Sequence, residues 1–530
     1  MKRFSPLLFA LVLVLSACAT APQTATPGLT FVHLNDTYRV GAVEDGKAGG
    51  FSRVVTLVRE LQSEGREVRI LHGGDFLYPS LESQLWNGVQ MVDAFNFMDA
   101  IAPMYAVAGN HEFDRRGPEQ LIAAVKASRF DWVGDNYVFK TGDADVDGAL
   151  QSAFTFQAGN KTIGVFSLTL NAKDGGNKRD YLENNGDYMD VAEKTIQTFE
   201  AKGVDLIIGV THLHMWQDVE LAGLKREHPK LAFIVGGHEH EPEHSPGSDT
   251  SAIVMKGASN ARVVWAIDVD FDSDGRTTIR ERQVKLDENV ALDPEYEVLV
   301  GKWRGRLLDK YPFLEARIGT AAVPLDGREV TVRNEESSWA NFIVDQMRLA
   351  FGEPKADLAF INGGTLRLDD FVEGDILFED IGRTFGFTSF LRLTSMTGVE
   401  FREVLEAGYR GAGPSKGYFP QVSGFRVCID RSRPSRDRIV SLQVPTEDGW
   451  QEIAADKVYS VVVPNYLYGG GDGYAIPKDR PASPPGSSLK YLVLDGVLRA
   501  QAEGRKVGAA VDPENPRFRE LKDRKRPCFE

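Results

Sequence analysis

Five short apolar runs in the first half of the chain each end in a cluster of polar, ligand-forming side chains, and that recurrence constrains the fold. Leu29 to Leu34 is followed by Asn35-Asp36-Thr37-Tyr38, and Val68 to Leu71 by His72-Gly73-Gly74-Asp75. Met104 to Ala108 leads into Gly109-Asn110-His111-Glu112-Phe113-Asp114. Leu206 to Val210 ends in Thr211-His212-Leu213-His214, and Leu231 to Val235 in Gly236-Gly237-His238-Glu239-His240. A short apolar run closed by a turn signal reads as a buried strand. Helix-like spacing at Phe51 to Leu61 and Gly88 to Met98 separates the first three runs. Strands alternating with helices predict a layered α/β core. Open α/β sheets place their ligands at the C-terminal ends of their strands, so the polar clusters are expected to share one site.

At 530 residues the chain is too long for one core. Further strands are suggested at Thr162 to Leu168, Ala252 to Met255 and Val263 to Phe271. Residues 29–290 read as a first domain, 291–315 as a linker helix and 316–530 as a second α/β domain. The linker rests on Pro294 to Tyr311, which is charged and carries Trp303, Leu307 and Leu308 on one side. All nine histidines lie before residue 245. Metal or acid–base chemistry therefore belongs to the first domain, and the second is expected to bind something. The net charge of −15 argues against a nucleic-acid binder, since phosphate backbones need a basic surface. Small phosphorylated ligands stay open, because a metal supplies local positive charge.

The N-terminus reads as a targeting segment. Lys2-Arg3 precedes the short apolar stretch Leu7 to Leu15, and Leu15-Ser16-Ala17-Cys18 resembles a bacterial lipobox. That resemblance implies removal of residues 1–17, a lipid on Cys18 and a tether over 18–28. Ala19-Thr20 carry no acidic residue beside the cysteine, which favours the outer membrane, facing periplasm or surface. In the oxidising periplasm Cys428 and Cys528 could pair, but their separation in sequence leaves this open.

Carboxylates mixed with imidazoles and one amide suit Mn, Zn or Fe rather than Ca. If two metals sit about 3.5–4 Å apart, one Asp must bridge them. The ordered set of strand-end motifs resembles the calcineurin-like metallophosphoesterases. Three later motifs extend the resemblance: Asn362-Gly363-Gly364-Thr365-Leu366-Arg367, Gly417-Tyr418-Phe419-Pro420-Gln421-Val422-Ser423-Gly424, and Asn465-Tyr466 with Gly470-Gly471-Asp472-Gly473-Tyr474. These resemble the C-terminal domain of the 5'-nucleotidase and UDP-sugar hydrolase family. The resemblance implies a four-layer sandwich, with β-sheets flanked by helices, joined by a linker helix to a nucleotide-binding α/β domain. It implies one metal on Asp36, Asp75 and His240, and a second on Asp75, Asn110, His212 and His238. His111 and Asp114 would form the catalytic dyad, and the two cations would acidify a water and neutralise phosphoryl oxygens. In the second domain Arg367 and Arg392 would grip phosphate, Phe419 and Tyr466 would sandwich the base, and Asp472 would accept from ribose hydroxyls. The implied activity is hydrolysis of nucleotide phosphate esters, with UDP-sugars and nucleoside di- and triphosphates as further candidates. The alternatives are a 2',3'-cyclic nucleotide or thiosulfate-conjugate esterase, or a non-catalytic nucleotide-binding lipoprotein.

Three positions depart from the pattern. Tyr38 stands where the family's first motif carries His, either as a phenolate ligand suited to Fe(III) or as a packing ring. Tyr78, in Gly74-Asp75-Phe76-Leu77-Tyr78, matches the iron-binding Tyr of purple acid phosphatases, with packing as the other use. Phe387 stands where the family often carries an Asn that could read the base. Among the other histidines, His33 and His72 read as core or hydrogen-bonding groups, and His214 could reach the site. Arg333 and Asn362 read as structural.

Overall fold

The computed structural model describes residues 28–172, 176, 178–272, 276–411, 416–522 and 528–529. The lipobox Leu15 to Cys18 and the tether residues Ala19 to Pro27 lie outside them.

Two six-stranded sheets form the first half. Across the first run Thr277–Lys285, Val263–Phe271, Leu29–Leu34, Glu67–His72, Met104–Val107 and Asp131–Val133. The last four are mutually parallel, and the first two close the edge as an antiparallel pair. Across the second run Glu243–Ser245, Ile253–Lys256, Leu231–Gly236, Leu206–His212, Lys161–Thr169 and Phe154–Ala158. Its four inner strands are again parallel. The inner strands Leu29–Leu34, Met104–Val107, Leu206–His212 and Leu231–Gly236 are buried along their whole length, which is why they appear in the sequence as apolar runs. The inner faces meet in one core, where the Phe31 ring stands 5.6 Å from Phe233. His33 ties the sheets, with Nδ1 3.2 Å from the Leu71 carbonyl and Nε2 3.1 Å from that of Gly236. Burial pulls its pKa down to about 4, so the ring is neutral and one of these contacts carries the N–H.

Helix Phe51–Ser63 shows why the outer layer forms. It buries Phe51, Val54, Val55, Val58 and Leu61, which recur at helical spacing, and exposes Arg59, Glu60 and Gln62. Each large side chain so buried stabilises the fold by roughly 1.5–3 kcal/mol before conformational entropy is subtracted.

Helix Pro294–Lys310 follows, capped by Asp293 with a proline in its first turn. Beyond it, the mixed sheet Leu391–Thr397, Val458–Pro464, Leu358–Asn362, Pro420–Ser423 has a core on each face. Alternation within Leu358–Asn362 sends Ala359 and Ile361 to one core and Leu358 and Phe360 to the other. A second sheet holds Arg426–Ile429 beside Phe518–Glu520, and there Cys428 and Cys528 form a disulfide with their Cα atoms 5.8 Å apart.

Candidate metal centre

The C-terminal ends of the parallel strands turn sharply where they meet. Asp36, Asp75, His238 and His240 all have positive φ, at 52°, 63°, 86° and 65°. Non-glycine residues rarely adopt this backbone, and each such turn costs on the order of 1–3 kcal/mol unless its surroundings hold it. The surroundings do hold it. Glu112, 1% exposed, accepts from the backbone N–H groups of Asp75, Phe76 and Leu77 at 2.9, 2.7 and 2.9 Å, tying two strand-end loops together. Burial, followed by the charge of Asp75, raises its pKa to about 7. Buried Lys256 bonds the Gly237 carbonyl at 2.9 Å and the Leu213 carbonyl at 2.5 Å, and lies 3.0 Å from Asp218. It thereby links the loops that carry His212 and His238.

The side chains so aimed form one cluster. His212 Nδ1 lies 2.7 Å from the Gly73 carbonyl and donates to it, which turns Nε2 toward Asn110 Oδ1 at 3.2 Å and Asp75 Oδ2 at 3.3 Å. His240 Nδ1 donates to Glu329 at 2.8 Å, which leaves Nε2 3.2 Å from Asp36 Oδ1. The Asp36 carboxylate is fixed by Asn35 Nδ2 at 2.7 Å and the His238 N–H at 2.8 Å. Lone pairs thus face lone pairs, an arrangement that stands only with a shared cation, either protons or metal ions. Burial works against charge on His212, but Asp75 overrides it and lifts the pKa to about 10. Burial likewise raises the Asp36 and Asp75 carboxyls, and the histidines beside them bring both below the ordinary range. One ligand atom each from Asp36, Asp75 and His212 lie within 4.8 Å of one another. These oxygen and nitrogen donors fit a divalent transition metal.

His111 Nδ1 donates to Asp114 Oδ2 at 2.7 Å, which fixes the tautomer because a carboxylate only accepts. Burial opposes a charge on His111, yet Asp114 and Asp75 raise its pKa. The Tyr38 hydroxyl sits inside the cluster, 3.1 Å from His240 Nε2, 3.4 Å from Asp36 Oδ1 and 3.5 Å from Asp75 Oδ2. Burial and the two carboxylates push its pKa well up, a field that a bound cation would invert. The Tyr78 ring instead packs against Arg115 and Phe387.

The second half of the chain reaches into the same place. Arg367, held by the Gly364 carbonyl at 2.7 Å, brings Nη2 to 3.4 Å from His111 Nε2. Its Nη1 is buried without a hydrogen bond, 3.6 Å from Glu329. Phe387 covers His111 at 5.7 Å between ring centroids and lies under the Arg367 guanidinium at 5.3 Å. Asn362, at the other end of the same loop, donates to Asp472 Oδ2 at 2.8 Å, and the Tyr466 hydroxyl donates to Oδ1 at 2.8 Å.

The two expected stacking rings differ. Tyr466 is 49% exposed, whereas Phe419 is 2% exposed and meets Phe518 and Tyr409 edge-on. Phe419 immediately precedes strand Pro420–Ser423, and its ring drops into the core beneath the sheet. Arg392 bonds the Ser483 carbonyl and lies over Tyr468, contacts that do not join it to Arg367. His214 meets His238 edge-on, with ring centroids 4.6 Å apart. His72 is a buried hydrogen-bonding group, facing Thr37 Oγ1 at 2.9 Å. Sequence reading missed Glu329, Lys256 and the anchoring role of Glu112, and it took Arg333 as structural. Arg333 bonds Glu329 at 2.8 Å, one step from His240, a contact in keeping with that reading.

Residues 29–242 match the calcineurin-like phosphoesterase family, and residues 317–479 match the 5'-nucleotidase C-terminal domain. The chain therefore combines a calcineurin-like phosphoesterase domain, of a kind that hydrolyses phosphoric esters and whose fold implies divalent metals, with a 5'-nucleotidase C-terminal domain. The 5'-nucleotidase of Homo sapiens is 26% identical over 511 residues, covering 86% of each chain. A trifunctional nucleotide phosphoesterase of Bacillus subtilis, YfkN, is 26% identical over 496 residues, a match that takes in 86% of this chain but 33% of that protein. Among solved structures, a 5'-nucleotidase precursor from Thermus thermophilus shares the fold with a TM-score of 0.78, at 24% identity. That likeness covers 94% of this chain and 100% of the other. The sulfate thiohydrolase SoxB of Thermus thermophilus shares it at 0.71 and 15% identity, over 96% and 99%.

Proposed function

We propose that this protein hydrolyses phosphate esters of nucleotides, with nucleoside 5'-monophosphates as the first substrates to test. The observation that carries the reading is Arg367. A buried guanidinium with a donor lacking a hydrogen bond lies beside His111 and the carboxylate–imidazole cluster. A phosphate is the chemical group that answers such a fork while it lies against bound cations.

In this reading Asp36, Asp75 and His240 hold one metal, and Asp75, Asn110, His212 and His238 hold the other. Bound metals, as Mn, Zn or Fe, would supply an activated water and screen the phosphoryl oxygens. Arg367 orients the phosphate, and Phe387 keeps water off one side of His111. His111, steered by Asp114, presents Nε2 to the phosphoryl or leaving oxygen and stabilises the charge that grows there. Tyr466 offers a ring face to the base, and Asp472 accepts from ribose hydroxyls. The roles of Arg392 and Phe419 would require both to leave their present contacts.

The deciding experiment combines metal analysis with phosphate release from a panel of nucleoside mono-, di- and triphosphates, UDP-glucose and a 2',3'-cyclic nucleotide. The expected result is chelator-sensitive release from 5'-nucleotides. Hydrolysis of an aryl phosphate with no release from any nucleotide would redirect the assignment to another ester. The same panel with Tyr38→His tests the tyrosine: a changed metal preference and higher activity are expected if Tyr38 Oη is a ligand, and unchanged metals would leave it a packing ring.

The proposal extends to location, with the protein held to the outer membrane by a lipid on Cys18. Among the described residues no helix is long and apolar enough to cross a membrane. Cys18→Ser is expected to shift the protein from the membrane pellet to the soluble fraction. Retention in the pellet would overturn the lipid anchor.

A further inference from the structure

Glu329 belongs to the second half of the chain, in the short helix Glu329–Val332, yet its carboxylate sits against a proposed metal ligand. It is 1% exposed. Oε2 accepts from His240 Nδ1 at 2.8 Å and from Ser259 Oγ at 2.8 Å. Oε1 accepts from Arg333 at 2.8 Å. The Glu329 backbone N–H donates to Asp369 Oδ1 at 3.0 Å, and Asp369 Oδ2 accepts from Asn260 at 3.0 Å. Asn260 in turn accepts from the Tyr38 N–H at 3.0 Å, and its own N–H donates to the Asp36 carbonyl at 3.0 Å. The carboxylate is therefore locked to both halves, and among the described residues His240 is its hydrogen-bond partner that also faces Asp36.

We propose that Glu329 is a positioning residue for His240, so that one of the two metal sites is completed by the second domain. The chemistry is that of a carboxylate behind a ligating imidazole. It holds the proton on Nδ1, leaves the Nε2 lone pair free for the metal and fixes the ring plane. His212 receives the same service from the Gly73 carbonyl, which lies in its own domain. The two sites therefore differ. For the one built on Asn110, His212 and His238, the described contacts of His212 and the His238 backbone lie in the first domain, whereas the one built on Asp36 and His240 needs a group that arrives with the second. Arg333 and Arg367 flank the same carboxylate, so its charge is balanced without drawing the proton away from His240.

The inference rests on the two-metal reading, and the test separates the two. Metal-stripped full-length protein is titrated with Mn(II) or Zn(II) by calorimetry, as wild type, Glu329→Ala, Glu329→Gln and Gln84→Ala. Gln84 bonds the Gly386 carbonyl across the same domain interface at 2.6 Å without touching His240, so it reports on docking alone. Wild type is expected to take up two equivalents. In Glu329→Ala one equivalent should weaken about 10–100-fold while the other is unchanged. Glu329→Gln should fall between, since its amide oxygen still accepts from Nδ1, and Gln84→Ala should bind as wild type. Should the alanine variant fail to fold by thermal melting, the glutamine variant carries the test. Two unchanged equivalents in both Glu329 variants, or an equal loss in Gln84→Ala, would overturn the proposal. Failure of wild type to bind two equivalents would overturn the two-metal reading itself.

Discussion

Replacing His111 by alanine is expected to lower kcat about 10²–10⁴-fold while leaving the metal content unchanged. The separation of the two readouts follows from geometry. His111 is attached to the cluster through its backbone N–H, which donates to Asp75 Oδ1 at 2.7 Å, and alanine keeps that bond. The imidazole Nε2 is 3.9 Å from Asp75 Oδ2, beyond hydrogen-bonding reach, and points toward Arg367. Its removal should thus affect the chemical step and spare the ligands. Asp114→Asn is the graded companion. The amide can still face Nδ1, but it no longer enforces the tautomer or favours the protonated ring, so its loss should be smaller than that of alanine. Steady-state kinetics with metal analysis of each purified variant checks this. Loss of metal alongside activity in His111→Ala would show that the histidine is a ligand or a scaffold.

Replacing Arg367 by alanine is expected to reduce kcat/KM about 10²–10³-fold. The guanidinium lies between the Tyr38 and Phe387 rings, 5.4 and 5.3 Å from their centroids, and is oriented by the Gly364 carbonyl. Its plane is set before any substrate arrives. Arg367→Lys should recover a minor part of the loss, because an ammonium keeps the charge and loses both the fork and the stacking. If the guanidinium grips phosphate in ground and transition states alike, KM rises with little change in kcat. If it tightens as charge develops, kcat falls as well. Wild-type kinetics from the alanine variant on every nucleotide would remove Arg367 from the phosphate site.

The architecture and the proposed ligands were legible because both signals are local. A strand buried on two faces must be continuously apolar, and a ligand at its end must interrupt that run. Asp36, Asp75, Asn110, His212, His238 and His240 therefore stood out by contrast with their own neighbours. The partners that hold them have no such contrast. Glu329 lies in Gly-Arg-Glu-Val-Thr-Val-Arg, an unremarkable polar stretch, and its bond to His240 spans 89 residues. Lys256 ends an apolar strand like many solvent-facing lysines, and only the sheet order puts it among Asp218, Glu239 and two carbonyls. Exposure was equally hidden. Phe419 and Tyr466 both sit in glycine-bearing motifs, yet one ring faces the core and the other faces water.

The contact between the two halves has a consequence of its own. Arg383 pairs with Glu82 at 3.1 Å, Arg262 approaches Asp369 at 3.6 Å, Asn260 bonds Asp369, and Glu329 bonds His240 and Ser259. Beside apolar contacts such as Tyr78 with Phe387 and Leu81 with Leu314, this polar part of the seam adheres in a different way from an apolar core. Each charge lost on parting regains hydration, so separating the halves costs far less than exposing an equal area of leucine and phenylalanine. It also fixes registry sharply, because each ion and amide finds its partner in only one alignment. The polar contacts join the halves as a keyed clasp would, each partner fixing where the other must sit.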